Sequence, residues 1–342
     1  MDERKTILDV RNLKVEFNTD QGSVYAVRDV SFHVKEGEIL GIVGETGCGK
    51  SVSMFAVLGL LAETGRITGG HIRFDGESIT SSDFSDVKAY EKKMCTIRGN
   101  TMAMIFQDPM TFLNPVLTVG KQLREAILNH HPDIGKAEAN RRAIELMRQV
   151  GINDPENRIH NYPHEFSGGM RQRIVIAIAL ANSPRLIIAD EPTTALDVTV
   201  QAQVLDLIRE ISERIGAAVI VITHDLGVVA NLCDRIGIMY GGKMVETGSV
   251  HEIFYAPNHP YTEGLLNCIN DPEDNDQELT PIPGSPPDML RPPAGCPFVD
   301  RCDRAMRVCK ARMPQATALS ETHSSFCWLN EKKRREEAKR NG

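Results

Sequence analysis

The chain lacks a surplus of positive charge. Its 39 Lys and Arg stand against 46 Asp and Glu, a net charge of −7 over 342 residues. That balance argues against a general nucleic-acid binder, which needs basic surface to displace counterions. Long apolar runs are also missing. The 11 residues between Arg173 and Arg185 form one of the longer uncharged apolar stretches. A bilayer-spanning helix needs roughly 20, so no span is expected and any membrane role falls to partner subunits. The opening Met1-Asp2-Glu3-Arg4-Lys5 carries no apolar signal region, which gives a cytosolic expectation. No duplicated block of sequence is found. Hydrophobic content of 41% is ordinary for a soluble protein, and the length predicts two or three folding units.

The most specific local feature is Gly44-Glu45-Thr46-Gly47-Cys48-Gly49-Lys50-Ser51. It follows the apolar run Ile39-Leu40-Gly41-Ile42-Val43 and precedes Val52-Ser53-Met54-Phe55-Ala56-Val57-Leu58, the order strand, loop, helix. Glycines let backbone N–H groups turn inward around phosphate oxygens, and the helix N-terminus adds positive partial charge. Lys50 is then expected to reach the β- and γ-phosphates and Ser51 to hold Mg²⁺. The loop predicts binding of a nucleoside triphosphate.

Short alternating runs between Ile7 and Val34 predict antiparallel strands beside the nucleotide site. Thr101–Phe106, Leu186–Ala189 and Ala217–Ile222 are apolar throughout, as in a parallel sheet covered on both faces. A largely helical insertion is expected over 119–181, and a hairpin over 235–247 turning at Gly241-Gly242. After about Asn270 the composition changes. A polar linker, Asp271–Asp276, leads to the stiff Pro281-Ile282-Pro283-Gly284-Ser285-Pro286-Pro287, and Lys332–Arg340 closes the chain as a mixed-charge, solvated helix.

Asp190-Glu191 ends the run Leu186–Ala189, where carboxylates can reach a Mg²⁺–phosphate group. Asp190 is expected to share the Mg²⁺ with Ser51, and Glu191 to polarise the attacking water as general base. Around it stand Phe166-Ser167-Gly168-Gly169-Met170-Arg171-Gln172, then Ala195-Leu196-Asp197, and finally Thr223-His224-Asp225. Cysteine use is uneven. Cys48, Cys95, Cys233 and Cys268 are scattered, whereas Cys296, Cys302, Cys309 and Cys327 crowd the tail. In a reducing compartment that cluster favours a metal site over two disulfides. Its spacing fits neither the common ferredoxin runs nor a paired zinc ribbon, so Zn²⁺ and an iron–sulfur cluster both stay open. His323 is a further candidate ligand, set against a plain surface role. The segment from Pro281 to Asn330 has few large apolar residues, and a bound metal would help stabilise it.

This ordered set of motifs resembles the ATP-binding cassette (ABC) family over roughly Leu8 to Val250. The resemblance implies an α/β P-loop NTPase fold: a RecA-like core, an N-terminal antiparallel β subdomain, a helical subdomain and a small metal-binding C-terminal extension. It implies ATP and Mg²⁺ as ligands. Gln107 would sense Mg²⁺ and contact the coupling helix of the membrane subunits. Ser167 and Gly169 would bind the γ-phosphate held by an opposite subunit, Asp197 would link the two sites, and His224 would contact the γ-phosphate. Phe17 is the candidate for stacking on adenine, with Tyr25 the alternative.

Phe166 and Met170 depart from the commoner Leu-Ser-Gly-Gly-Gln signature. Together with Phe106-Gln107-Asp108-Pro109-Met110, Leu113-Asn114-Pro115, Asn258-His259-Pro260-Tyr261-Thr262 and Gly295-Cys296-Pro297-Phe298, they resemble the dipeptide/oligopeptide importer ATPases. Expected domains are a cassette over 1–257 and an extension over 258–342, with the cysteines at 296–327. The resemblance implies a [4Fe-4S] cluster on Cys296, Cys302, Cys309 and Cys327, Zn²⁺ being the alternative. It also implies a second, similar ATPase subunit, two permeases and an external binding protein, with this chain peripheral at the cytoplasmic face of the membrane. Nickel or sugar import, a soluble ABC ATPase and a redox-gated sensor are the competing functions.

Overall fold

The computed structural model describes residues 4–194, 197–268 and 281–331. The polar linker 271–276, the tail 332–340 and the pair Ala195-Leu196 lie outside the described residues. Strands β1 (Thr6–Thr19), β2 (Gly22–Lys35) and β3 (Ile39–Val43) come first, then helix α1 (Lys50–Leu58) and β4 (Gly65–Phe74). Next are β5 (Glu77–Ser78), α2 (Val87–Ile97), β6 (Met102–Ile105) and α3 (Pro109–Phe112). Helices α4 (Val119–Leu128), α5 (Lys136–Gln149), α6 (Pro155–Arg158) and α7 (Gly168–Ala179) fill the expected insertion. They are followed by β7 (Leu186–Asp190), α8 (Val198–Ile215), β8 (Ala218–Thr223), α9 (Leu226–Leu232), β9 (Arg235–Tyr240) and β10 (Lys243–Ser249). Last come α10 (Val250–Tyr255), α11 (Pro260–Leu266), α12 (Arg307–Ala311), β11 (Thr317–Ala318) and β12 (Ser324–Ser325).

The chain forms two compact units. The first comprises 1–8, 34–39 and 74–222, and the second 9–33, 40–73 and 223–342. In the first, β6, β7 and β8 run parallel, with Met104 opposite Ile188 and Ile188 opposite Ile220. Every residue of these strands is buried, which is why the sequence shows no alternation there. Helix α4 presents Val119, Leu123 and Ile127 at four-residue spacing, and α5 presents Ala139, Ala143 and Met147. These stripes are buried, and Arg124 Nη1 donates to Asn140 Oδ1 at 2.8 Å between the two helices.

In the second unit β3 pairs in parallel with β9, and β9 antiparallel with β10. The β9–β10 hairpin turns at Gly241 and Gly242, whose φ values of 52° and 76° suit the primed turns of tight hairpins. A short strand of the C-terminal extension continues this sheet. β12 pairs with β10 through Glu246–Ser325 and Thr247–Ser324, and β11 pairs with β12. The extension therefore has no need of a core of its own. Phe298, Val299, Cys296 and Cys309 belong to the same buried cluster as Val43, Ile236, Ile238, Tyr240 and Tyr261. The sequence offers a bound metal as an aid to stability here; burial against β9, β10 and α9 supplies another source.

A buried carboxylate strengthens that attachment. Glu246 is fully buried on β10, accepting from the N–H groups of Asn258 (2.7 Å) and His259 (3.0 Å). His323 Nε2 lies 2.7 Å from its Oε1. His323 is thus buried rather than a surface residue, with its Nε2 engaged by Glu246.

Candidate functional site

In the second unit, the glycine-rich loop between β3 and α1 has the tight backbone its sequence requires. Gly47 and Gly49 lie at φ 80° and 100°, the left-handed region that side chains disfavour. A Cβ on Gly49 would come within 2.5 Å of the Ala26 carbonyl oxygen, and one on Gly44 would overlap that of Met239. Lys50 opens α1 and is 5% exposed. Its ammonium donates to the carbonyls of Gly44 (2.6 Å) and Glu45 (3.1 Å), curling back over the loop. Cys48 is a buried filler whose thiol is pushed up chiefly by desolvation, which disfavours the thiolate.

The sequence places Glu45 in the nucleotide-binding loop but does not reveal the partner of its side chain. Arg301 Nη1 reaches both of its carboxylate oxygens, at 2.9 and 2.8 Å. Its backbone N–H donates to the hydroxyl of Tyr261 at 3.0 Å. His224 follows β8 and is exposed, and Asp225 caps α9 by accepting from Gly227 and Val228. Phe17 lies on β1 with its ring edge against Gly65, leaving no room for a Cβ there, while Tyr25 is 38% exposed.

In the first unit, Asp190 ends β7 and is buried, and Glu191 follows in a strained left-handed conformation, φ 45°. The strain is held from three directions. The Glu191 N–H donates to Ile222 O (2.8 Å), while Thr194 Oγ1 (2.9 Å) and Gln107 Nε2 (2.7 Å) donate to Oε2. Gln107 and Glu191, separated by 84 residues, thus meet at the C-terminal ends of neighbouring strands β6 and β7. Such strand ends are where α/β sheets bind ligands. Ser167 caps α7, accepting from Met170 N, and both Ser167 and Gly168 are exposed at its N-terminus. Gly169 faces Val200, with no space for a side chain, and Asp197 caps α8 through Val200 N at 3.0 Å.

The four tail cysteines line one small cavity of about 20 Å³ together with His259, Phe298 and Trp328. Burial pushes the thiols of Cys296 and Cys327 up to about 12 and about 11, and raises Cys302. Burial likewise lowers His259 to about 3, so its ring is neutral; Nδ1 accepts from Tyr261 N and Nε2 lies 4.0 Å from Cys296 Sγ. Among the described residues, no group of three or more His, Cys, Asp or Glu is placed to hold a metal ion. No described helix is long and apolar enough to cross a membrane.

Comparison with known proteins gives these features a common setting. The ABC transporter family model matches residues 27–194, and that of the oligopeptide/dipeptide transporter C-terminal region matches 245–309. The dipeptide transport ATP-binding protein DppD of Bacillus subtilis is 50% identical over 96% of each chain. The oligopeptide transport ATP-binding protein OppD of Salmonella typhimurium is 48% identical, over 94% of this chain and 93% of its own. Among solved structures, a dimeric ATP-binding cassette in a post-hydrolysis state with ADP and Pi superposes with a TM-score of 0.62. It is 26% identical and covers 71% of this chain and 99% of its own. The chain belongs to the ABC transporter ATP-binding proteins of the dipeptide/oligopeptide type.

Proposed function

We propose that this chain hydrolyses ATP to drive import of dipeptides or oligopeptides through a multisubunit ABC transporter. The observation that carries this reading is the extent of the likeness. About half of the residues are shared with peptide-transport ATP-binding proteins across nearly the whole chain, C-terminal extension included. The cassette is assigned to 1–257, with its helical part at 119–181, and the extension to 258–342. Partners are a second, similar ATPase subunit, two permeases and an external binding protein, with this chain at the cytoplasmic face of the membrane.

In this reading the Gly44–Ser51 backbone receives the phosphates, and Lys50 exchanges its loop carbonyls for the β- and γ-phosphates. Phe17 is assigned to the adenine. Ser51, Asp190 and Gln107 would hold Mg²⁺, which when bound neutralises phosphate charge. Glu191 takes the proton of the attacking water, its carboxylate aimed by Gln107 and Thr194. His224 orients the γ-phosphate, and Ser167, Gly169 and Asp197 serve the site of the opposite subunit.

The tail cysteines suit a [4Fe-4S] cluster in kind: four thiols line one cavity. Desolvation, which disfavours bare thiolates here, is the cost that a cationic centre offsets. As placed, they form no metal-holding group among the described residues, so binding the cluster requires them to rearrange. Full-length protein purified without oxygen should contain about four iron and four sulfide per chain. One zinc per chain would assign the site to Zn²⁺, and neither metal would remove it.

Uptake of a labelled dipeptide and a labelled longer peptide tests the function. Cells carrying Lys50→Ala at normal expression should lose uptake of at least one. Unchanged uptake of both would refute peptide import while leaving the ATPase assignment standing.

A further inference from the structure

A carboxylate at the second position of a phosphate-binding loop is an electrostatic problem. Glu45 sits between Gly44 and Thr46, in a loop assigned to a ligand carrying several negative charges. An uncompensated Glu45 would repel that ligand at short range, in partly buried surroundings where screening is weak.

The C-terminal extension supplies the compensation. Arg301 is 7% exposed at its side chain and lies 256 residues from Glu45 in sequence. Nη1 donates to both oxygens of Glu45 and to the Tyr240 hydroxyl at 3.0 Å. Nε and Nη2 donate to the carbonyls of Pro283 (2.9 Å) and Ile282 (3.0 Å). The guanidinium carbon lies 5.7 Å from the Tyr240 ring centroid and 6.0 Å from that of Phe298. Backbone carbonyls and aromatic faces thus fix the cation, leaving one direction for the carboxylate. On the backbone side, the fully buried Tyr261 accepts the Glu45 N–H. Its phenol is held neutral by burial.

We propose that Arg301 is a positioning residue for nucleotide binding, which cancels the charge of Glu45 and draws its carboxylate away from the phosphates. Tyr261 fixes the same residue by its main chain. The C-terminal extension thereby becomes part of the nucleotide site's electrostatics. The inference rests on the assignment of Gly44–Ser51 as the triphosphate-binding loop.

The test measures the Kd of full-length chain for a fluorescent ATP analogue with Mg²⁺. Arg301→Ala should weaken binding about tenfold, which corresponds to about 1.4 kcal/mol. Arg301→Lys, which keeps the charge and loses the fork, should fall between. The deciding variant is Arg301→Ala combined with Glu45→Gln, which should restore affinity to within about twofold of wild type. Restoration follows only if the unpaired charge caused the loss; a packing defect would persist. Glu45→Gln alone should bind ATP at least as well as wild type. Should Arg301→Ala fail to fold, Arg301→Lys with and without Glu45→Gln gives the same comparison. Wild-type affinity in both Arg301 variants, or no restoration in the double variant, overturns the proposal. Lys50→Ala separates the two levels. If it abolishes binding while the Arg301 variants bind as wild type does, only the role of Arg301 falls; if it binds normally, the loop assignment falls as well.

Discussion

Gln107 donates through Nε2 to Oε2 of Glu191 at 2.7 Å, joining the ends of two parallel strands through their side chains. The carboxylate that receives this bond belongs to a residue held at φ 45°, a conformation that costs about 1–3 kcal/mol outside glycine. A strained acid gripped by Ile222 O, Thr194 and Gln107 has its position fixed before any ligand arrives. Glu191→Gln should therefore leave ATP affinity near wild type and slow hydrolysis by about 10²–10⁴-fold. Nucleotide binding and single-turnover hydrolysis, measured on the same preparation, check both halves. Near-normal turnover would remove Glu191 from the role of base.

Replacing Gln107 separates aiming from chemistry. Gln107→Ala removes one of the two side-chain donors to Glu191 Oε2 while keeping the carboxylate, so the loss should be smaller, about tenfold in kcat. Combining it with Glu191→Gln should add little further loss, because the two residues act as a unit. Additive losses in the double variant would show that Gln107 acts independently of Glu191.

The phosphate loop makes a steric prediction. Gly49→Ala asks a side chain to occupy φ 100° with its Cβ 2.5 Å from the Ala26 carbonyl oxygen. The loop or β2 must shift, at a cost of about 1–3 kcal/mol. The denaturation midpoint should fall, and ATP binding should weaken even though Lys50 and Ser51 are untouched. Gly47→Ala has no atom within 4 Å of the added Cβ and only the strain of φ 80°, so its effect should be smaller.

What could be read from sequence follows from how local each feature is. The loop Gly44–Ser51 and the buried strands β3, β6, β7 and β8 were legible because contiguous residues specify them. The hairpin at Gly241-Gly242 was legible for the same reason. Pairings across long separations were not. Nothing in Glu45 signals that Arg301 faces it, since both residue types are common and 256 residues separate them. His323 reads from sequence as a surface residue, with a ligand role as the alternative, because a histidine among polar tail residues gives no sign of burial. Only the register of β12 against β10 reveals the carboxylate waiting opposite. The same blindness made the extension seem short of a core, because its apolar partners lie on strands about 60 residues away in sequence, as for Tyr240 and Phe298.

Glu246 should prove costly to remove. Glu246→Ala leaves two backbone N–H groups and the His323 ring without their buried acceptor. Each buried donor left without an acceptor costs about 1–3 kcal/mol. Glu246→Gln keeps an acceptor oxygen and should lose less. Limited proteolysis would localise the effect, with the 281–331 segment of the Ala variant cut faster than in wild type. Equal protection in both would mean that apolar burial alone holds the extension in place.

The attachment at Glu252 should depend on pH in a direction that can be worked out. Burial raises the Glu252 pKa, but hydrogen bonds from Ser320, Thr322 and Ser249 outweigh it and bring the carboxyl from 4.5 to about 2. Thr322 Oγ1 donates at 2.7 Å, and Ser249 donates through both N and Oγ at 2.8 Å. Because the folded value lies below the unfolded one, the unfolded chain takes up a proton first as the medium is acidified. The stabilisation is thus complete above about pH 4.5 and is lost as pH falls toward about 2. Glu252→Gln removes the titration altogether. The gap in urea midpoint between wild type and Glu252→Gln should accordingly be constant from pH 7 to 5 and narrow steadily between pH 4.5 and 2.5. A gap that stays constant through that window would show that the loop 320–322 does not hold Glu252 in its charged form.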